Sequence, residues 1–382
     1  MSVYLDHHAT TPLDERVLEA MQPFLREEFG NAASTTHAYG WRAEAAVDTS
    51  REQLCEMLGA ASPGEIVFTS GATESNNLAI LGLADSQQER RHIVTVCTEH
   101  PSVLDPCRAL RGRGFDVEEL PVDAQGRVSA EQVEAALRED TFLVSVMAAN
   151  NEIGVLHPLA EIAGRCRERG IVLHSDAAQA AGKIPLHAER DGIDLLSVSG
   201  HKIYGPKGVG LLRVRKRGSP RFRLTPRQYG GGHEGGLRSG TLPVALVVGL
   251  ARALELCLAE REVETARLSD LRDRLRVRLT EALPGRVQEN GDPEARLAGN
   301  LNLSFSDVDG DRLLADLGGL AVSSGSACSS ANPEPSPVLL ALGMSPERAK
   351  ASLRFGFGRG NTAADLDFVV ERVVAAVHAQ GR

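Results

Sequence analysis

Short apolar segments alternate with amphipathic helical segments between about residue 60 and residue 215, and this alternation limits the fold more than any other feature of the chain. The predicted strands are 65–68, 92–96, 116–120, 142–147, 171–174, 194–198 and 209–214, and the predicted helices between them are 73–83, 103–111, 130–137 and 159–169. Parallel strands need long crossover connections, which are usually helical. The order therefore predicts a mainly parallel sheet with helices on both faces.

The pattern changes near Thr241, where a long helical region begins that extends over about 243–283. Its second half interleaves acidic and basic residues, which is typical of a solvated helix face, and we expect this helix to bridge two domains. Strands 300–305 and 352–357 and helices 310–317 and 363–379 follow. They predict a smaller α+β domain, which suits a length of 382 residues.

Composition argues against several classes of protein. The net charge is −9 and the pI about 5.7, which gives no electrostatic footprint for nucleic acid. No apolar run reaches the ~20 residues of a membrane span, and the N-terminus lacks a signal-peptide pattern, so we expect a cytoplasmic protein without membrane contact. The six cysteines form no CxxC pair, which predicts neither a metal site nor a disulfide framework.

One lysine, Lys202, is the first candidate for chemistry. The chain has 42 basic residues, but its lysines are only Lys183, Lys202, Lys207, Lys216 and Lys350. Arginine does not lose its proton near neutral pH and cannot form a Schiff base, so a lysine retained in such a chain can be needed for its amine. Lys202 follows the predicted strand 194–198 and therefore stands at a strand end, where open α/β sheets bind ligands. The alternative is a solvated surface charge.

Three further segments fit the cofactor pyridoxal phosphate. Residues 69–77 contain small and hydroxyl residues that open a helix, whose N-terminus together with Thr73 can hold a phosphate. Asp176 ends a strand about one βαβ unit before Lys202, and its carboxylate can pair with the pyridinium nitrogen. The glycine-rich run 230–241 allows close approach of a ligand or a partner subunit. Each segment alone also fits a helix cap or a surface turn.

Other residues near these segments are candidates for cofactor or substrate contacts. Gln179 could bind the ring hydroxyl. His100 follows a strand, where an imidazole could stack on the cofactor and move protons, although a lone histidine is often structural. Arg354 lies in an otherwise apolar strand and needs an anionic partner, for which a substrate carboxylate is suited. Cys328 has only small and polar neighbours, which predicts an exposed loop with a functional thiol.

Five segments together, in this order, resemble the bacterial cysteine desulfurases of the class V aminotransferase group of pyridoxal phosphate enzymes. They are Leu5-Asp6-His7-His8-Ala9-Thr10-Thr11-Pro12, Ser70-Gly71-Ala72-Thr73-Glu74-Ser75, Asn150-Asn151-Glu152-Ile153-Gly154, Ser199-Gly200-His201-Lys202 and Ser323-Ser324-Gly325-Ser326-Ala327-Cys328. The resemblance extends from residue 3 to about residue 375.

The resemblance implies a pyridoxal phosphate-dependent transferase of fold type I, with a mainly parallel seven-stranded sheet in a large domain and a smaller α+β domain. It implies an N-terminal arm over 1–15 that packs with the small domain, a large cofactor-binding domain over 16–255 and a small domain over 256–382 that carries the cysteine loop. It also implies a homodimer, with the cofactor bound between the domains.

The resemblance further implies the roles of the site residues. Lys202 would hold pyridoxal 5′-phosphate as an aldimine, and Cys328 would be the persulfide-forming nucleophile. The phosphate would be held by Ala72, Thr73, Ser199, His201 and Thr241, the last supplied by the other subunit. The ring contacts would be His100, Asp176 and Gln179. Asn151 would contact both the cofactor and the substrate, and together with Arg354 it would hold the substrate carboxylate.

The sequence thus predicts an enzyme that removes sulfur from L-cysteine, giving L-alanine and a persulfide on Cys328. The sulfur would pass to a protein acceptor, in iron–sulfur cluster assembly, tRNA thiolation or DNA phosphorothioation. The first alternative is a related lyase acting on selenocysteine or cysteine sulfinate, against which the long Cys328 loop argues. The second is an inactive adaptor, which would have lost Lys202 or Cys328.

Overall fold

The structure is a computed structural model that describes residues 2–324 and 334–380. The chain begins with strand β1 (Val3–Tyr4) and helices α1 (Glu15–Arg26) and α2 (Ala38–Met57). The Asp14 side chain accepts a hydrogen bond from the Arg16 backbone N–H and caps α1. In α1, Val17 and Met21 lie four residues apart and are both buried. The sequence analysis did not predict these two helices.

A seven-stranded sheet forms the centre of the large part of the chain. Its elements, with their connecting helices, are β2 (Ile66–Thr69), α3 (Ala72–Asp85), β3 (His92–Val96), α4 (Pro101–Arg111), β4 (Asp116–Leu120), α5 (Ala130–Ala136), β5 (Thr141–Ser145), α6 (Leu159–Glu168), β6 (Val172–Asp176), β7 (Leu195–Ser199) and β8 (Gly210–Val214). The strand order is β2-β8-β7-β6-β5-β3-β4. In this sheet β8 runs antiparallel to its two neighbours, β2 and β7, and the other pairings are parallel. The predicted mainly parallel sheet is therefore confirmed, with bounds that differ by one or two residues.

Both faces of this sheet are covered, as the apolar strands require. Strands β3, β5, β6 and β7 are buried along their whole length, which is the pattern of parallel strands with helices on either side. Residues of α3 and α4 pack in one core on one face, and residues of α1 and α2 pack in another. Each fully buried aliphatic side chain in these cores contributes ~1.5–3 kcal/mol through loss of its water contact.

The long predicted helix is confirmed as α7 (Val244–Ala282), which runs 39 residues without a break. Its first half is buried as far as Cys257 in the large core, whereas Leu271, Leu275 and Leu279 enter a separate core. The spacing of these leucines, four residues apart, presents one apolar stripe to that second core. The domain boundary near residue 255 falls inside this helix and stays a prediction.

The remaining elements build a smaller α+β part. They are β9 (Val287–Glu289), β10 (Asn300–Phe305), α8 (Gly310–Asp316), β11 (Leu320–Ala321), α9 (Pro337–Ala341), α10 (Pro346–Lys350), β12 (Ser352–Gly356) and α11 (Asp365–His378). An antiparallel sheet has the order β12-β10-β9. Among the described residues no helix is both long and apolar enough to cross a membrane.

The N-terminal segment connects the two parts of the molecule. Strand β1 pairs parallel with β11, and the Gly356 N–H donates to the Leu5 carbonyl oxygen at 2.7 Å. A few residues later, the Thr11 N–H donates to the His201 carbonyl oxygen at 3.0 Å. Residues 6–11 therefore lie across the carboxyl edge of the large sheet, where the sequence predicts the site.

Candidate active site

The predicted site residues on β6 and β7 lie at neighbouring strand ends. Strand β6 ends at Asp176, and β7 ends at Ser199, from which a 3-10 turn (Gly200–Lys202) carries Lys202. The two strands pair in parallel, with Asp176 opposite Ser197. The carboxylate and the amine thus belong to the same edge of the sheet, as their spacing in the sequence predicts.

The Lys202 amine is held by the N-terminal segment. Its Nζ donates to the His8 carbonyl oxygen at 2.6 Å and to the Ala9 carbonyl oxygen at 2.8 Å. The sequence analysis gave residues 8 and 9 no part in the site. No local pattern could have shown it, because the contacts join residues almost 200 positions apart.

Asp176 is connected to His100 through two intermediate side chains. Its Oδ1 accepts from the Ala178 backbone N–H at 2.9 Å, and its Oδ2 accepts from Asn76 Nδ2 at 2.7 Å. The same amide nitrogen donates to Ser102 Oγ at 2.8 Å, and that hydroxyl contacts His100 Nδ1 at 2.8 Å. The buried Asn76 on α3 therefore fixes the carboxylate relative to the imidazole, although the sequence analysis did not single it out.

The electrostatics of the site favour a neutral His100. Burial lowers the pKa of His100, the negative charge of Asp176 opposes this, and the positive charge of Lys202 adds to the lowering. Burial, assisted by Lys202, also lowers the pKa of His201 to about 4. A neutral imidazole can accept a proton, so His100 is suited to the role of a base.

The N-terminus of α3 offers the predicted phosphate site. No side chain caps this helix at Gly71, whose φ of 152° favours glycine. A Cβ at Gly210 would lie 2.7 Å from the Gly71 Cα and 2.4 Å from the Val198 carbonyl oxygen. Glycine at both positions therefore lets the end of β7 and the start of β8 approach α3, and leaves the N–H groups of Ala72 and Thr73 for an anion.

The remaining predicted phosphate ligands take different positions. Ser199 is buried at the end of β7, close enough that a Cβ on Gly71 would lie 3.7 Å from its Oγ. His201 Nδ1 contacts Thr10 Oγ1 at 3.1 Å. Thr241 is exposed just before α7, and no hydrogen bond within residues 2–324 and 334–380 joins it to the other predicted ligands.

The two predicted substrate residues contact each other. Arg354 is buried in β12, where its Nη1 donates to the Asn151 carbonyl oxygen at 2.9 Å and its Nη2 donates to Asp6 Oδ1 at 2.8 Å. Its Nε is buried and has no hydrogen-bond partner in the described part of the chain. A buried guanidinium N–H without a partner is suited to pair with the carboxylate of a bound substrate.

Cys328 lies outside the described residues, but both flanks of its segment are fixed beside the site. Before it, the Ser323 backbone pairs with that of Arg354, and its Oγ donates to Asp6 Oδ1 at 2.8 Å. After it, the Ser336 hydroxyl donates to the buried Glu152 carboxylate, which adjoins Asn151. The other cysteines are buried or, for Cys97, partly buried.

This set of groups fits pyridoxal phosphate. The amine of Lys202, the buried carboxylate of Asp176 and the uncapped N-terminus of α3 come together at one edge of the sheet. The buried Gln179 also belongs to this edge, because its Nε2 donates at 2.8 Å to the same His8 carbonyl oxygen that Lys202 contacts. Within the described ranges, no cluster of three or more His, Cys, Asp or Glu side chains could hold a metal ion.

Comparison with known proteins agrees with this arrangement. The family described as aminotransferase class-V matches residues 3–369. A protein of Anaeromyxobacter dehalogenans (strain 2CP-C) named cysteine desulfurase IscS is 52% identical over 369 residues, which cover 96% of this chain and 90% of that protein. A human protein named cysteine desulfurase is 51% identical over 376 residues, which cover 98% of this chain and 81% of that protein.

Solved structures are similar over nearly the same length. A structure titled NifS-like protein superposes with a TM-score of 0.91 at 36% identity and covers 99% of this chain and 100% of its own. A structure titled SspA in complex with cysteine has a TM-score of 0.82 at 36% identity and covers 94% of this chain and 99% of its own. The chain belongs to the class V aminotransferase family and, within it, to the cysteine desulfurases.

Proposed function

We propose that this protein is a pyridoxal phosphate-dependent L-cysteine desulfurase that forms L-alanine and a persulfide on Cys328. The observation that carries the proposal is the meeting of Lys202, Asp176 and the uncapped start of α3 at one sheet edge. These groups match the aldehyde, the ring nitrogen and the phosphate of one cofactor. The names of the relatives support the substrate and the activity.

The cofactor would be held by residues from several strand ends. Lys202 would bind it covalently, Asp176 would face the ring nitrogen, and Gln179 would face the ring hydroxyl. The phosphate ligands would be Ala72, Thr73, Ser199, His201 and, from the partner in a homodimer, Thr241. When bound, pyridoxal phosphate supplies an electron sink for charge that develops on the substrate. Exposure of Thr241 in the single chain is consistent with a ligand that is shared across a dimer.

Arg354 would orient the substrate through its carboxylate. The guanidinium is already fixed on one side by Asn151 and Asp6, so it offers its unpartnered Nε edge without losing side-chain freedom on binding. Asn151 would bind the same substrate carboxylate beside Arg354. Since the chain enters the Cys328 segment directly from the strand partner of Arg354, the thiol would be delivered to the same substrate.

His100 and Cys328 would share the chemical work with Lys202. The released Lys202 amine or the neutral His100 would remove the α-proton of the substrate, and either can return a proton to the product. The Cys328 thiolate would then attack the substrate sulfur. The new S–S bond forms as the substrate C–S bond breaks, and the electron pair of that bond returns to the substrate Cβ, which becomes the methyl group of alanine after protonation.

The persulfide sulfur would pass to a protein acceptor, such as an iron–sulfur scaffold or a thiolation protein. The homodimer and the cytoplasmic location also stay predictions. The related reactions on selenocysteine or cysteine sulfinate form a second candidate function. They need no protein nucleophile, so the two candidates differ in whether Cys328 is required.

The experiment is a single-turnover assay of the purified protein loaded with pyridoxal phosphate. We expect L-cysteine to give one alanine and one protein persulfide per site, and Cys328→Ser to give neither. Alanine formation by Cys328→Ser at the wild-type rate would instead favour the lyase reactions. A protein that takes up no cofactor would contradict both.

A further inference from the structure

Lys183 is a second lysine near the site, and the proposed reaction gives it no role. It lies in the turn that follows β6, four residues after Gln179. The Lys183 N–H donates to the Ala180 carbonyl oxygen at 3.0 Å, and the Ile184 N–H donates to the same oxygen at 3.1 Å. This helical turn places the two side chains on the same side, and Lys183 Nζ donates to Gln179 Oε1 at 3.1 Å.

No carboxylate forms an ion pair with Lys183 in the described part of the chain. Lys183 lines a small cavity of about 70 Å³. Burial lowers the pKa of Lys183 to about 7, and the positive charges of Lys202 and Arg354 add to this lowering. The titratable and charged groups that face it are His7, His8, His201, Lys202, Arg354 and Cys257, with Tyr204, Arg261, Glu264 and Arg359 around the cavity. Glu264, the acid among them, pairs with Arg267.

Contacts at both ends fix which way the Gln179 amide points. The amide oxygen, Oε1, lies 3.0 Å from His8 Nδ1 as well as 3.1 Å from Lys183 Nζ. A histidine nitrogen donates or accepts according to its tautomer, so the His8 ring allows either amide orientation, whereas the His8 carbonyl oxygen only accepts and requires the amide N–H₂ group. In its charged form Lys183 only donates, so it binds the oxygen end of the amide and adds to the orientation that the His8 carbonyl oxygen requires.

The other end of the amide then points to the cofactor site. Gln179 Nε2 donates to the His8 carbonyl oxygen at 2.8 Å, and Lys202 Nζ donates to this oxygen at 2.6 Å. The amide N–H₂ group and the reactive amine are therefore neighbours on one acceptor. A flipped amide would turn its oxygen towards the His8 carbonyl oxygen and its N–H₂ group towards an ammonium, which is unfavourable at both ends.

We propose that Lys183 is a positioning residue, which together with the His8 carbonyl oxygen holds Gln179 with its N–H₂ group towards Lys202 and brings a positive charge close to the ring hydroxyl of the bound cofactor. The inference rests on the proposed cofactor site and adds a residue to it. Lys183 acts on the cofactor through Gln179 and through its charge, without contact to the reacting atoms.

This role predicts an effect on the proton of the Lys202–cofactor linkage. An amide N–H directed at the ring oxygen stabilises its anionic form and competes with the linkage proton for that oxygen. A nearby positive charge also disfavours a protonated, cationic linkage. Both effects lower the pKa of the linkage, so removal of Lys183 raises it, by about one pH unit for a charge acting across several ångströms of protein.

The experiment follows the visible absorption of the holoenzyme as a function of pH, without turnover. We expect Lys183→Met to raise the pKa of the linkage by about one pH unit, and Lys183→Arg, which keeps a charged donor, to stay near the wild type. Lys216→Met is the control, because Lys216 is exposed just after β8 and should leave the titration unchanged. A Lys183→Met holoenzyme with the wild-type titration would refute the inference.

A second set of variants tests the route through Gln179. Gln179→Leu should raise the pKa in the same direction, and the shift in the double variant Lys183→Met/Gln179→Leu should be smaller than the sum of the single shifts. Fully additive shifts would refute positioning. Failure of the proposed function would look different, since the wild-type protein would then carry no pyridoxyl group on Lys202 after borohydride reduction.

Discussion

Replacement of Arg354 by methionine should weaken the binding of L-cysteine mainly through loss of the carboxylate contact. The arginine side chain is only 6% exposed, two of its nitrogens are bound to Asn151 and Asp6, and its Nε has no partner in the described chain. A carboxylate on this edge would accept two charge-assisted hydrogen bonds of ~1.5–3 kcal/mol each. Their loss corresponds to about 3–6 kcal/mol, or about a 10²- to 10⁴-fold increase in Kd.

The assay compares L-cysteine with cysteamine, which has the same amine and thiol but no carboxylate. Binding is measured by the change in visible absorption of the holoenzyme. The wild type should prefer L-cysteine by about 10²- to 10⁴-fold, and Arg354→Met should lose most of this preference while its affinity for cysteamine changes little. Arg354→Lys keeps the charge but lacks the planar guanidinium, so its preference for L-cysteine should lie between those of the wild type and Arg354→Met.

The comparison of two ligands also controls for structural damage. Arg354 bonds to Asp6, which accepts from Ser323 as well, so its loss can disturb the surroundings. Such damage would weaken the binding of L-cysteine and of cysteamine by the same factor. A folded Arg354→Met protein that still prefers L-cysteine by the wild-type factor would refute the assignment of Arg354 to the substrate carboxylate.

The remaining predictions concern the phosphate site, a buried carboxyl group and the ring nitrogen. Gly210→Ala should weaken cofactor binding and destabilise the fold by ~1–3 kcal/mol, because its Cβ would meet α3 and β7; Gly164→Ala, in open space on α6, is the control and should stabilise slightly in thermal unfolding. Burial raises the pKa of Glu152 from 4.5 to about 7, so its stabilising effect is complete below about pH 4.5 and is lost as the pH rises through 7. Between pH 6 and 9 the wild type should therefore lose about 1.5 kcal/mol relative to Glu152→Gln in denaturant unfolding, and parallel pH profiles of the two proteins would contradict this. Asp176→Asn should retain cofactor but react slowly, because an amide does not stabilise a protonated ring nitrogen, and near-wild-type rates would make Asp176 purely structural.

Much of the fold could be predicted because it depends on local patterns. The buried parallel strands are short apolar runs with turns at their ends, and α7 is a long periodic helix. Helices α1 and α2 were missed, because α1 contains Pro23 and the buried face of α2 includes Gly40 and Ser50. Their packing against α7 comes from tertiary contacts that no local window contains.

The site could be predicted where a residue stands at the end of a strand, as Asp176 and Lys202 do. The part of the site that is formed by the N-terminal segment, which crosses the sheet edge, could not be predicted. His8 and Ala9 contact Lys202, and Asp6 contacts Arg354, through pairs separated by half of the chain or more. The part played by Asn76 was also hidden, because a buried asparagine in α3 reads locally as an ordinary helical residue.

The central claim is that substrate sulfur is transferred to Cys328 at a site built around Lys202. Its most direct test is the location of sulfur after one turnover with ³⁵S-labelled L-cysteine, read by peptide mapping under non-reducing conditions. The account predicts label on the peptide that contains Cys328, no label in Cys328→Ser, and none in Lys202→Ala, which lacks the amine. Label on another cysteine, or protein-bound label that persists in Cys328→Ser, would contradict it.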